Sequence, residues 1–331
     1  MPSFAPVVRR TDATLDGLAQ AVAEATAPVV FTGLVAEWPA VRAARQSDRA
    51  LIDYLKARDN GAPAPTLRKG GDGRFFYNET LDGFNFQRAN VPLSLTLDML
   101  GRLAPDSQDH IYIQSVPLRE HLPAVRLENR LPEIVAEPRI WIGNASVTRT
   151  HFDLFENLVC MVAGAKRFVL FPPEQLPNLY MGPLENTVSG VPASMVDLDQ
   201  PDFARYPRFR QALEAALVAE LEPGDVLYVP YMWWHHVASV GGFNVQINYW
   251  WNEVRTGGTP MQALILTLLA VRDLPPERTA AWKVMFDTLV FQVDGPAGDH
   301  LPEDRRGLLG EMTPEMRLAL RKQLGKNLAE D

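Results

Sequence analysis

Between residues 106 and 255 the chain runs through a succession of short segments rich in β-branched and aromatic residues, and that spacing constrains the fold more than any other feature. Residues 110–115 (HIYIQS), 139–142, 157–162, 167–171, 226–229, 235–239 and 243–250 each have a strand's length, and Gly, Pro and Asp separate them. Short strands broken this often by turn residues read as a sandwich or barrel. Glu222-Pro-Gly-Asp225 is a strong turn signal before the strand DVLYVP.

The flanks have a different texture. Residues 1–105 mix helices and strands. Residues 14–25 read as a helix, 27–34 (APVVFTGL) as a buried strand, 47–58 as a second helix capped by Ser47, 74–77 and 85–88 as short strands, and 94–103 as a third helix. Residues 256–331 return to helix at 261–273, 275–292 and 313–328, the last opened by Thr313 with Pro314 at the first helical position. No internal repeat or low-complexity tract interrupts this order.

Charge and cysteine content narrow the function classes. The formal net charge is −8, and the basic residues are dispersed in short pairs. A nucleic-acid binder carries a basic surplus or stripe, so nucleic acid is disfavoured as a partner. The single cysteine, Cys160, excludes an internal disulfide framework and fits a reducing compartment. The opening residues MPSFAPVVRRTDATLDG lack the apolar core of a signal peptide. The longest apolar run, residues 261–271 (MQALILTLLAV), is too short to span a bilayer. The expectation is a cytoplasmic protein with no membrane partner.

Chemistry concentrates in two places. In His151-Phe-Asp153, strand alternation would put both polar side chains on one face, supplying two ligands of the two-histidine, one-carboxylate triad that holds non-haem iron. A third ligand is offered by residues 224–237 (GDVLYVPYMWWHHV), where a buried strand and an aromatic turn deliver His235 and His236. Alternation sends these two to opposite sides, so one of them can be an interior ligand, and pattern leaves open which. No Gly-x-Ser-x-Gly elbow or phosphate loop occurs, and residues 70–73 (GGDG) lack the spacing of a dinucleotide fingerprint.

These segments resemble the cupin-like, JmjC-related branch of the iron(II)- and 2-oxoglutarate-dependent oxygenases, closest to the asparaginyl hydroxylase that inhibits hypoxia-inducible factor. The likeness spans roughly residues 106–255, with an upstream echo in PVVFTGLVAEWPAVR. It implies a mainly β fold: a double-stranded β-helix (jelly-roll, cupin-type) catalytic core at 106–255, an N-terminal α/β extension at 1–105 packed on it, and a C-terminal helical segment at 256–331. It implies His151, Asp153 and His235 as the ligands of Fe(II), leaving His236 to packing. It also implies 2-oxoglutarate as co-substrate. Lys166, fifteen residues beyond His151, falls where the family places the cation for the distal carboxylate, as do Tyr112 and Thr148 for its hydroxyl partners. Thr148 and His151 are three apart, so facing one site would require an irregular strand. Asn157 and Asn248 align with amides near the metal-proximal end, Trp250 with an aromatic wall and Gln114 with the mouth.

The reaction so implied is hydroxylation of a protein side chain, with 2-oxoglutarate converted to succinate and CO2. The alternatives are the same chemistry on a small molecule, a nucleic-acid base or an N-methyl group, or a non-catalytic metal-binding cupin. In the resembling hydroxylase the C-terminal helices form a homodimer, and the apolar faces of 261–273 and 275–292 are compatible with that role.

Overall fold

The structure is a computed structural model and describes residues 4–104, 106–185, 187, 190–252 and 259–330. The domain boundaries expected at 105/106 and 255/256 fall at Pro105 and within residues 253–258, outside the described residues. The chain divides into two compact units, Met1–Asn252 and Glu253–Asp331.

Two long antiparallel strands, Glu156–Phe171 and Trp234–Trp251, organise the first unit. They run through two layers. In the wide layer the first half of Glu156–Phe171 pairs with the second half of Trp234–Trp251. Beyond the former lie Val226–Val229, Val29–Phe31 and Val8–Arg10, and beyond the latter Pro138–Gly143, Asp109–Pro117, Pro63–Gly70 and Gln87–Pro92. In the narrow layer the remaining halves continue side by side. One pairs with Leu217–Leu221 and the other with Ser146–Phe152. Val159, Met161, Leu227 and Val229 of the wide layer and Phe168, Leu170, Ala219 and Leu221 of the narrow one form a single buried cluster, so the layers face each other as a jelly roll.

Alternation divides the wide layer cleanly. Ile111, Ile113, Ile140, Ile142, Leu158, Cys160, Ile247 and Tyr249 point away from the partner layer and pack with Val41, Leu51, Leu55, Leu93, Leu97 and Val125 of the surrounding helices. Their neighbours Tyr112, Trp141, Asn157, Val159, Gln246 and Asn248 point inward and line a cleft. In the narrow layer Thr148, Phe168, His235 and Val237 face the same cleft.

The inward residues are odd-numbered at 157 and 159 but even-numbered at 168, so Glu156–Phe171 must change phase between them. It does so at Gly164, where the register to Trp234–Trp251 shifts on either side of Ala163. Gly164 has φ +74°, and a Cβ there would lie 2.4 Å from Asn244 Oδ1 and 2.7 Å from the carbonyl oxygen of Phe243. Only glycine fits. The other long strand changes phase around Gly241-Gly242, with Gly241 at φ +79° in open space.

Several sequence expectations need correction. The runs 157–162 and 167–171 are one bent strand, as are 235–239 and 243–250, because glycines that read as turns are bulges inside continuous ladders. Ser146–Phe152 ends before Asp153, so His151 and Asp153 do not share one strand. Pro63–Gly70 was not apparent as a strand because of its prolines. Pairing with Asp109–Pro117 begins only at Thr66, so the missing N–H of Pro65 costs no bond there. Helix Pro39–Gln46 was also missed, whereas Ser47 caps Asp48–Lys56 as expected by accepting from the Ala50 N–H at 3.0 Å.

The second unit contains the helices Pro260–Ala270, Pro276–Leu289 and Pro314–Glu330. Thr259 opens the first with a reciprocal capping box to Gln262. No helix among the described residues is long and apolar enough to cross a membrane.

The bend makes a graded prediction. Gly164→Ala must carry both the left-handed backbone penalty, about 1–2 kcal/mol, and the clash with Asn244. Gly241→Ala carries the first alone. Urea unfolding should show the larger loss for Gly164→Ala, and equal losses would contradict the packing account.

Candidate active site

The narrow layer brings His151 and His235 directly opposite each other as register partners, with ring centroids 4.3 Å apart. Val237, two residues beyond His235, pairs with Thr148, which lies three residues before His151. Ser146–Phe152 therefore bulges at Arg149-Thr150, and this irregularity lets Thr148 and His151 both line the cleft. Arg149 is pinned outside by Asp197 at 3.1 Å, by the carbonyl of Val196 at 3.3 Å and by the ring of Phe76. Its role was not apparent in the sequence, since Asp197 lies far along the chain and becomes a neighbour only through folding.

Both histidines are oriented in the same way. The Nδ1 of His151 lies 2.8 Å from the carbonyl oxygen of Arg149, and the Nδ1 of His235 lies 3.0 Å from that of Trp233. With Nδ1–H donating to a carbonyl, each Nε2 keeps its lone pair. Burial, reinforced by the neighbouring His235, lowers the His151 pKa to about 4, so this imidazole is neutral at pH 7. Asp153 sits just past the strand with Oδ2 3.5 Å from His235 Nε2. One ligand atom from each of His151, Asp153 and His235 lies within 4.8 Å of the others.

A chain of amides backs the carboxylate. Asn157 Nδ2 donates to Asp153 Oδ2 at 3.3 Å, Asn248 Nδ2 to Asn157 Oδ1 at 3.0 Å, and Gln246 Nε2 to Asn248 Oδ1 at 2.8 Å. Asn157 and Asn248 are thus brought to the triad. Gln246 was missed, although its i, i+2 spacing from Asn248 on a strand places both on one face. Trp250 lines the cleft between Trp141, edge-on at 5.1 Å, and Phe155, stacked at 5.6 Å.

Lys166 lies on the inward face of the narrow layer only because of the phase change at Gly164. It is 3% exposed and sits behind the lining residues rather than among them, its ammonium 5.9 Å from the Tyr112 ring centroid. It has no ion pair or hydrogen-bond partner among the described residues, and burial alone lowers its pKa to about 7. Tyr112 is buried beside it. Burial raises the phenol's pKa, partly offset by a hydrogen bond with Thr148. Arg167 points the other way, toward Phe4. His236 also lies on the far face, its Nδ1 3.5 Å from Thr150 Oγ1, and burial lowers its pKa to about 4.

The donor set fits a divalent metal: two imidazoles whose Nδ1 faces a backbone carbonyl, leaving Nε2 toward the site, and one carboxylate oxygen suit iron(II). The second group also fits. A buried ammonium without a carboxylate, beside a phenol and a hydroxyl, is complementary to a carboxylate reaching in from the cleft. The cleft, about 510 Å³, is lined by the triad together with Trp141, Gln114, Pro65, Arg88 and Arg139.

Comparison with known proteins places the chain among relatives. The cupin-like domain model matches residues 17–257. Human HSPB1-associated protein 1 is 42% identical over 153 residues, 44% of this chain and 30% of that protein. The chicken tRNA wybutosine-synthesizing protein 5 is 33% identical over 143 residues, covering 41% of this chain and 42% of that one. The human bifunctional peptidase and (3S)-lysyl hydroxylase JMJD7 is 28% identical over 256 residues, 68% of this chain and 77% of that protein. The chain spans about a third of the length of HSPB1-associated protein 1, the first relative it matches.

Lys166 supplies a pH test. Its native pKa near 7 lies below the unfolded value of 10.5, so between these the unfolded state binds more protons and this residue's contribution to stability rises with pH. Without ligand, Lys166→Met should be more stable than the wild type at and below pH 7, with the advantage shrinking toward pH 10.5. A pH-independent difference in chemical denaturation would show that the ammonium is not held unpaired.

Proposed function

The chain belongs to the cupin-like domain family, and we propose that it works there as an iron(II)- and 2-oxoglutarate-dependent oxygenase that hydroxylates a protein side chain. The observation that carries this reading is the pairing of two independent features: a His151–Asp153–His235 donor set and, behind the same cleft, a buried lysine lacking a counter-ion. A bare metal cupin has no use for the second, which costs stability when nothing neutralises it.

His151, Asp153 and His235 would hold the metal, leaving adjacent positions for the co-substrate and dioxygen. Lys166, Tyr112 and Thr148 would take the far carboxylate of 2-oxoglutarate. When bound, iron with 2-oxoglutarate and dioxygen supplies the oxidising power for hydroxylation, with succinate and CO2 released. The protein's own work is positional. The Arg149 and Trp233 carbonyls orient the imidazoles, the amide chain from Gln246 to Asp153 holds the carboxylate, and Trp141 and Trp250 supply an apolar wall of the cleft. A protein substrate agrees with the hydroxylase name of the relative that covers most of this chain, and with a net charge of −8 that disfavours RNA. Such a protein would act in a reducing compartment such as the cytoplasm.

Succinate formed from 2-oxoglutarate, followed by NMR with iron(II), is the test. Turnover should be lost in His151→Ala and Lys166→Ala and reduced about 10–100-fold in Asn157→Ala, which removes only a supporting partner. Turnover that survives His151→Ala would overturn the assignment.

We further propose that the second unit mediates self-association. Leu264, Ile265 and Leu269 on one helix and Trp282, Val284 and Met285 on the next are exposed, an apolar surface that isolated soluble domains rarely present. Sedimentation should give a dimer for the wild type and a monomer for Leu269→Arg. A monomeric wild type would refute it.

A further inference from the structure

The inward face of the wide layer carries two guanidinium groups that the triad and the co-substrate do not use. Register places Arg88 opposite Leu67, and Leu67 opposite Tyr112, while Arg139 lies opposite Asn248. Both arginines therefore line the same cleft as His151 and His235. Among the described lining residues the only acidic one is Asp153, which faces the metal position.

Neither arginine has an ion pair among the described residues. Arg139 is held rigidly instead: Nε donates to Ser115 Oγ at 2.6 Å and Nη2 to the Ser115 carbonyl at 2.5 Å. Ser115 adopts φ +57°, a left-handed conformation unfavourable for serine, at a bulge between Ile113 and Val116. Backbone strain of this kind persists where the surroundings enforce it, commonly at ligand sites. Among the described residues no hydrogen-bond partner meets Nη1, which is left to a ligand. Glu120 and Glu137 act on Arg139 only from farther away, and Glu137 already pairs with Arg119 and Arg126. Arg88 stands exposed on the edge strand Gln87–Pro92.

Two guanidinium groups on one cleft wall, without an ion pair among the described residues, favour a negatively charged ligand there even though the chain as a whole carries −8. In the oxygenase reading 2-oxoglutarate has no charge to spare for it, since one carboxylate goes to the metal and the other to Lys166. Two guanidinium groups are also too few for a nucleic-acid backbone, which is bound through many phosphate contacts. We propose that Arg88 and Arg139 form a specificity rim that recognises an acidic peptide segment, one bearing Asp or Glu carboxylates, in the protein substrate. The substrate assignment rests on the oxygenase reading; the rim's charge preference can be measured without it.

The test uses the full chain and three fluorescein-labelled Gly/Ser peptides of equal length with Glu, Gln or Lys at the same positions. Anisotropy at low salt should show the Glu peptide binding at least about tenfold tighter than the Gln peptide. Arg88→Glu, at an exposed position, should abolish that preference and improve binding of the Lys peptide, and Arg139→Lys should weaken Glu-peptide binding while retaining its sign. No preference in the wild type, or a preference unchanged in Arg88→Glu, overturns the rim. So does a tenfold loss of 2-oxoglutarate affinity in Arg88→Glu with peptide binding unaltered, which would reassign the rim to the co-substrate. A single-stranded RNA bound more tightly than the Glu peptide overturns the peptide assignment. Absence of 2-oxoglutarate binding in a wild type that still prefers the Glu peptide defeats the oxygenase reading and leaves the rim standing.

Discussion

The site depends on two strands that change face partway along. In an unbroken ladder, side chains that face inward at Asn157 and Val159 would be followed by an outward-facing position at 166. The bulge at Gly164 reverses that phase, turning Lys166 and Phe168 inward. The matching change around Gly241-Gly242 lets His235 and Val237 share the cleft with Gln246, Asn248 and Trp250. A third irregularity at Arg149-Thr150 brings Thr148 onto the face of His151. A regular sandwich of the same sequence would scatter these groups over both sides of two sheets.

That arrangement sets up an electrostatic contrast within one cleft. Near the triad, burial keeps His151 neutral and backbone carbonyls turn both Nε2 atoms toward the site, so among the described lining residues Asp153 is the sole negative group for a divalent cation. Behind Tyr112, burial instead isolates the Lys166 amine, and no described residue pairs with it. A protein gains nothing in stability from an unpaired buried ammonium. In the proposed oxygenase reading a carboxylate ligand accounts for its presence, and the same reasoning underlies the proposed arginine rim.

Much of this was legible in the sequence, and the parts that were not have physical causes. The β-rich middle and the flanking helices followed from hydrophobic pattern and turn residues. His151 and His235 were visible as residue types, but alternation could not choose His235 over His236; the structure separates them onto opposite faces. Thr148 and Lys166 depended on phase changes that pattern reading cannot place, because a glycine inside a ladder looks like a glycine in a turn. Asp153 was assigned to a strand that ends at Phe152. Arg149 and Arg139 were missed because their partners, Asp197 and Ser115, become neighbours only through folding, whereas Gln246 was within reach of the i, i+2 rule from Asn248.

The central claim is that one cleft holds a divalent metal and 2-oxoglutarate together, each group contributing to the other's site. The most direct measurement is calorimetric titration of 2-oxoglutarate into the manganese(II)-loaded protein, the metal-free protein and the metal-loaded Lys166→Met variant. The structure predicts tight binding only when metal and Lys166 are both present, with the two losses strongly coupled. Binding that is indifferent to the metal, or that survives loss of the ammonium, would contradict it.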